Sequence, residues 1–240
     1  MKSELESFSR LPSLLVATSS KKDGGMKIRY EMDYDAETLQ NRQEFVLQLG
    51  ISDKDVVTAK LAQGDTVAVV SKDDRGSIIH DTDSLITKDK GVFLAITTAD
   101  CLSVFLYDSK HGVIALIHAG WKGLELGTIA KTIERMHAEY GTLGTDLMVG
   151  IGAGIGVCHF EVQQDVADRF VEYKSEIQIR DGKIFIDLKQ IAAKQLLRAG
   201  ISENSIEVNP DCTYHNEEYF SFRRDKTSPL QANLVLFGMR

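Results

Sequence analysis

Two short segments place reactive side chains at the ends of apolar runs. Thr98-Ala99-Asp100-Cys101 closes one run, and His118-Ala119-Gly120-Trp121 closes another, with His118 seventeen residues after Cys101. The runs themselves, residues 92–98 (VFLAITT) and 113–117 (VIALI), have the length and β-branched composition of buried strands. A thiol and an imidazole are therefore expected where core strands end, and both are donors for a soft or borderline metal ion. Two donors alone do not make a site. A buried cysteine also serves as a small hydrophobe, and a strand-end histidine as a satisfied structural group.

Four further constellations stand beside this pair. His118-Ala119-Gly120-Trp121-Lys122-Gly123 joins a strand to a helix, where two glycines and the Lys122 charge suit an anion such as phosphate or a carboxylate. The alternative is a tight turn with Trp121 packed on the core. Residues 150–156 (GIGAGIG) superficially resemble a dinucleotide loop, but Ile155 or Val157 takes the place of the third glycine in either phase. A loop of close backbone approach is expected instead, beside Cys158, His159 and Glu161. Cys212-Thr213-Tyr214-His215 precedes Arg223-Arg224-Asp225, whose guanidinium groups offer planar donors to an anion or an ion pair to Asp225. Alternation along a strand lets one of the two arginines face a given pocket. Finally, His80 stands among Asp81 and Asp83, as a metal ligand with carboxylate support or as a solvated loop residue.

These groups need a scaffold, and 240 residues supply one large domain, 1–240, without an evident linker or repeat. The pattern predicts strands at 14–18, 55–61, 66–71, 92–98, 103–107, 113–117, 147–151, 205–208, 218–222 and 233–238. The pair 55–61 and 66–71 reads as a hairpin. Helices are expected over 36–49 (Asp35 cap, Gly50 stop), 126–140, around Val162, Val166 and Phe170, and over 188–199 (Asp187 cap, Gly200 stop). The expected class is α/β: a single domain with mixed β-sheets flanked by helices. A net charge of −7 argues against a nucleic-acid partner. No apolar run approaches a membrane span, and the N-terminus lacks the apolar core of a signal peptide. Three dispersed cysteines without a CxxC pair suggest a reducing compartment, so a cytoplasmic protein is expected.

Taken together, TTADC (97–101), LYD (106–108), IHAGWKG (117–123), GAGIGVCHFEV (152–162) and CTYHNEEYFSFRRD (212–225) resemble the laccase-domain or multicopper polyphenol oxidase family. Its members are also described as purine nucleoside phosphorylases and peptidoglycan-editing factors. The resemblance implies a zinc ion held by His, Cys and His, and phosphorolysis of adenosine- and inosine-type nucleosides with adenosine deamination alongside. The partners are then a purine nucleoside and phosphate. Copper is not expected, because the several His-rich motifs of a multicopper site are absent. On this reading Asp100, Cys101 and His118 are catalytic. Lys122, Arg223, Arg224, Asn41 and Arg42 bind substrate or phosphate, and Cys101 and His118 hold the metal. The third family ligand is a histidine whose place here is taken by Gln63, and His80 is the nearest substitute. A nucleoside-binding protein with a decayed metal site and a peptidoglycan-precursor amidase are the alternatives.

Overall fold

Side-chain alternation sets the layers of this computed structural model, which describes residues 5–27 and 35–240. Along β6 (Phe93–Thr98), Leu94 and Ile96 join one apolar cluster while Phe93 and Ala95 join another, as a strand buried on both faces requires. The first sheet has the order β1 (Leu14–Thr18), β14 (Asn233–Met239), β6, β2 (Val56–Lys60), β4 (Ile78–His80). Its β1, β14 and β6 pair antiparallel, and β2 runs parallel to both β6 and β4. The second sheet has the order β13 (Ile206–Val208), β9 (Leu147–Ile151), β7 (Leu102–Asp108), β8 (Val113–Ala119), β5 (Ser84–Thr87), β3 (Val67–Val69). It is antiparallel at its centre and parallel at both outer pairings. A small antiparallel sheet of β10 (Glu161–Val162), β12 (Lys183–Ile186) and β11 (Ile177–Arg180) completes the strands described.

The two large sheets stack face to face. Val57, Leu94, Ile96, Val235 and Phe237 of the first meet Leu85, Phe105, Ile114 and Leu116 of the second, with Phe8 of the short helix α1 (Glu6–Ser9) at the same interface. Beyond the first sheet, α2 (Ala36–Gln48) lays Phe45 and Val46 on Ala95, Leu234 and Leu236. Beyond the second lie α3 (Trp121–Leu126), α4 (Thr128–Tyr140) and α6 (Leu188–Arg198), whose Ile129, Ile133, Met136, Ile191 and Leu196 cover Val104, Leu106, Ala115 and Ile117. The remaining α-helices among the described residues are single turns, α5 (Gln164–Ala167) and α7 (Phe222–Asp225). This is the expected α/β class, mixed sheets flanked by helices. Asp35 and Asp187 do cap their helices, accepting from Thr38 N and Gln190 N.

Several expectations change. The proposed hairpin of 55–61 and 66–71 does not form: β2 and β3 belong to opposite sheets, and the segment between them crosses from one to the other. Each strand pairs better with a distant partner whose apolar face it shares. The expected strand over 218–222 is replaced by turns leading into α7, because Ser221 caps that helix by accepting from Arg224 N. Residues 126–140 split at Gly127, which takes a left-handed conformation between α3 and α4. In place of a helix through Val162, Val166 and Phe170, Val162 lies in β10, Val166 in the short α5 and Phe170 in a run of 3-10 turns.

Phe105 is fully buried at the sheet interface, its ring 5.5 Å from Phe237 and 6.2 Å from Phe8. Phe105→Ala is expected to lower unfolding free energy by roughly 3–5 kcal/mol, read as a shift in the urea midpoint.

Candidate functional site

His118 shares strand parity with Ile114 and Leu116, so at the end of β8 its ring lies on the side of the second sheet that faces the first. There it is held twice by Asp83, the residue preceding β5. His118 N donates to Asp83 O at 2.7 Å, and ring Nδ1 stands 3.0 Å from Asp83 Oδ1. The crossing loop supplies the rest: Gln63 N and Gly64 N donate to the two Asp83 carboxylate oxygens at 3.1 and 2.8 Å. Burial disfavours charge on Asp83, but hydrogen bonds from His118, Gly64 and Gln63 outweigh it and hold the carboxyl below its ordinary range. Burial likewise opposes a charged His118. The neighbouring Cys101 sulfur and Asp83 overcome that opposition and raise the imidazole to about 9.

Cys101 sits in the link that carries the chain from β6 in the first sheet to β7 in the second. Asp100 anchors that link. Its Oδ1 accepts from Thr213 Oγ1 at 2.7 Å, its Oδ2 from Arg223 N at 2.7 Å, and its carbonyl from Ile155 N at 2.9 Å. The residue holds φ at +86°, a conformation side chains rarely adopt outside glycine. Gly120 brings Cys101 and His118 side by side. A Cβ at that position would stand 2.9 Å from Cys101 Sγ and 3.6 Å from His118 Cε1, so only glycine admits the sulfur. Lys27 also senses the site. Burial lowers its pKa, and the Cys101 charge partly restores it.

The two arginines diverge. Arg224 spends its guanidinium on the carbonyls of Thr213, Tyr214 and Tyr219 and on Asp225. It holds the 213–225 loop together and has no donor set free for phosphate. Arg223 donates from one Nη to the His159 carbonyl and lies 5.7 Å from the Phe160 ring. With Trp121, Phe160, Glu161, Val162 and Val166 it lines a cleft of about 430 Å³. Lys122 is exposed, its ammonium 5.6 Å from the Trp121 ring. Asn41 and Arg42 bind protein rather than open space: Asn41 Nδ2 donates to Gly25 O, and buried Arg42 to Met26 O and Thr58 Oγ1. They hold Gly25 and Met26, next to Lys27. His80 is exposed at the end of β4, where its backbone partner is Lys60.

Among the described residues, ligating atoms of three or more His, Cys, Asp or Glu come within 4.8 Å of one another in two places, and neither contains Cys101, His118 and His80 together. One is Asp108, His111 and Asp146, where Asp108 Oδ1 accepts the backbone N–H groups of Lys110 and His111 in a turn. The other is Cys158, His159, Cys212 and His215. A separate cavity of about 970 Å³ between α4, α6 and residues 169–173 holds none of the groups near Cys101. Two residues escaped the sequence. Asp83 was visible only as a neighbour of His80, although its true partner lies across the β5–β8 pairing. Lys27 carries no motif at all.

A family model described as multi-copper polyphenol oxidoreductase laccase matches residues 21–237. The chain is 40% identical over 174 residues to a purine nucleoside phosphorylase of Bacteroides thetaiotaomicron. That alignment covers 70% of this chain and 64% of the relative, less than two thirds of its length. Adenosine deaminase RL5, from an unknown prokaryotic organism, is 28% identical over 200 residues, covering 78% of this chain and 76% of that protein. The crystal structure of YlmD from Geobacillus stearothermophilus superposes with a TM-score of 0.87 at 26% identity, covering 95% and 93% of the two chains.

The contacts of buried His118 with Cys101 and Asp83 make stability depend on pH with a definite sign. A folded-state pKa raised to about 9 lies above the ordinary histidine value of about 6.5. The stabilisation is therefore complete below about pH 6.5 and is lost as pH rises through about 9. Denaturant unfolding of chelator-treated protein should show stability falling over that window. Asp83→Asn should flatten the fall and lower stability near neutrality.

Proposed function

The chain belongs to the multi-copper polyphenol oxidoreductase laccase family, and from that premise we propose that it is a purine nucleoside phosphorylase acting on adenosine- and inosine-type substrates, with adenosine deamination as a side activity. The observation that carries this reading is the Cys101–His118 pair, braced by Asp83, where the β6–β7 link meets the end of β8. Arg223, whose N–H binds Asp100 beside Cys101, lines a cleft with two aromatic rings, although neither Cys101 nor His118 lines that cleft. The Bacteroides and RL5 names support the substrate class.

In phosphorolysis a phosphate oxygen bonds to the ribose C1′ while the C1′–N9 bond breaks, its electron pair passing to the purine. The transition state has oxocarbenium character. It needs an anion held near C1′ and a proton for the departing base. The Arg223 guanidinium suits the first need, at the edge of a cleft where a planar base would lie against Trp121 or Phe160. The His118 imidazolium, kept charged near neutrality by Asp83 and Cys101, suits the second as general acid. Asp100 then acts by position, since Thr213 and Arg223 already occupy its carboxylate.

The family resemblance implies zinc on Cys101 and His118. Engaging Nδ1 with Asp83 leaves Nε2 for an ion, the usual carboxylate–histidine–metal arrangement. The third donor does not fit. Gln63 occupies the family position as a weak neutral ligand, and His80 stands exposed on β4. Two donors fall short of the three protein ligands of a catalytic zinc, so the steps above pass through no metal. No helix among the described residues is long and apolar enough to cross a membrane. We place the reaction in the cytoplasm, where three free cysteines stay reduced.

A nucleoside panel with and without phosphate tests the activity. Release of free base should require phosphate, and ammonia from adenosine reports deamination. His118→Ala should reduce kcat/KM by roughly 10²–10⁴-fold. Arg223→Ala should raise KM for phosphate with a smaller loss of Tm than Arg224→Ala, since its side chain serves one carbonyl, that of His159. Arg224→Ala should instead lower stability by roughly 1–3 kcal/mol, because several loop carbonyls lose their donor. Base release that ignores phosphate, or none across the panel, rejects the phosphorylase reading.

The backbone makes a separate prediction. Residue 63 holds φ at +62°, a region that histidine tolerates better than most side chains, and its N–H meets the same Asp83 oxygen as His118. Gln63→His should add one zinc per chain relative to wild type in metal analysis, and His80→Ala should leave the content unchanged.

A further inference from the structure

We propose that Cys158, His159, Cys212 and His215 form a structural zinc site, separate from the Cys101–His118 pair, that clamps the two loops carrying the walls of the cleft. The two halves of the set come from distant parts of the chain. Cys158 and His159 follow the glycine-rich loop after β9, and Cys212 and His215 follow β13. One ligating atom from each of the four lies within 4.8 Å of every other. The donors of a tetrahedral zinc with bonds of about 2.0–2.3 Å stand about 3.3–3.8 Å apart. Cys158 Sγ and His215 Nδ1 are already 3.7 Å apart. Small side-chain adjustments therefore bring the set to coordination distance.

The surroundings match what such a site requires. Gly156 N donates to Cys212 Sγ at 3.1 Å, the kind of backbone support that ligating sulfurs receive. A Cβ on Gly156 would stand 3.1 Å from Cys158 Sγ and 3.5 Å from Cys212 Sγ, so the glycine keeps the space beside both sulfurs open. His159 Nδ1 is buried without a hydrogen-bond partner among the described atoms. Its ring is held against Tyr214, 3.8 Å away and nearly parallel, and edge-on to His215 at 4.3 Å. The backbone also joins the two segments: Gly154 and Cys212 form a bridge, and Thr213 N donates to Gly154 O at 3.1 Å.

Two thiolates and two imidazoles are a donor set that selects zinc among common divalent ions. Binding displaces the Cys158 and Cys212 thiol protons to solvent and needs no oxidant. Four protein ligands leave no open position, so the site stabilises rather than reacts. It ties the 152–162 loop, with Phe160, to the 212–225 loop, with Arg223. Both line the cleft.

The test reads metal and thiols, so its result stands apart from that of the nucleoside assay. Cys101→Ser removes the other thiol donor. Protein of this variant, purified under reducing conditions without chelator, should retain one zinc per chain through gel filtration. It should also lose several degrees of Tm on chelation, because a ligand specific to the native state stabilises it. Adding Cys158→Ser and Cys212→Ser should abolish the zinc. In case that triple variant fails to fold, cobalt substitution of the Cys101→Ser protein gives an independent reading. It should produce a thiolate-to-cobalt charge-transfer band and the intense visible bands of a tetrahedral ion, both weakened by His215→Ala. The proposal is overturned by any of three outcomes: no retained zinc, zinc retained without both cysteines, or a Cys158–Cys212 disulfide in the reduced preparation, seen as two missing thiols.

Discussion

The carboxylate of Asp100 is the constraint on which the site depends. The link from β6 to β7 must leave one sheet and enter the other, and it turns at a residue held at φ +86°. Asp100 ties that turn to the glycine loop through its carbonyl and to the 213–225 loop through both carboxylate oxygens. With those contacts in place Cys101 has little freedom. Its sulfur rests where Gly120 offers no Cβ, against the His118 ring. A carboxylate that accepts hydrogen bonds on both oxygens acts here as a knot between three loops.

A second buried carboxylate governs electrostatics. Asp83 collects two backbone N–H groups and the His118 ring, so its own charge is well compensated and it can in turn sustain a charged imidazole in the sheet interior. Cationic groups at and around the site differ sharply in role. Arg224 and Arg42 are consumed by carbonyls, and Lys21 pairs with Asp225 at 3.0 Å. Arg223 lines the cleft, and Lys27 lies close enough to feel the Cys101 charge. Adjacent arginines thus divide between holding the loop and facing the ligand space.

Metal-ligating chemistry is likewise divided. Near the end of β8 two donors and a bracing carboxylate stand beside the backbone of Gln63, whose side chain is exposed. Along the 158–159 and 212–215 segments, four donors converge on one point with no carboxylate among them. The first arrangement suits a site where protons move and substrate enters. The second suits a fixed joint. Their shared neighbours, Asp100 and Thr213, make the geometry of one depend on the other.

Much of this was legible in the residues. Periodicity placed the central strands and the long helices, and aspartates at 35 and 187 with glycines at 50 and 200 marked helix ends, because those signals are local. The strand ends at Cys101 and His118 were visible for the same reason. Tertiary structure alone decided the rest. It sent β2 and β3 to opposite sheets, gave His118 its partner Asp83, and turned Arg224 inward. It also brought Cys158 and His159 against Cys212 and His215. Each of these depends on pairing between segments far apart in the chain, where hydrogen-bond satisfaction and the sharing of apolar faces across two sheets choose among partners that local sequence leaves equivalent.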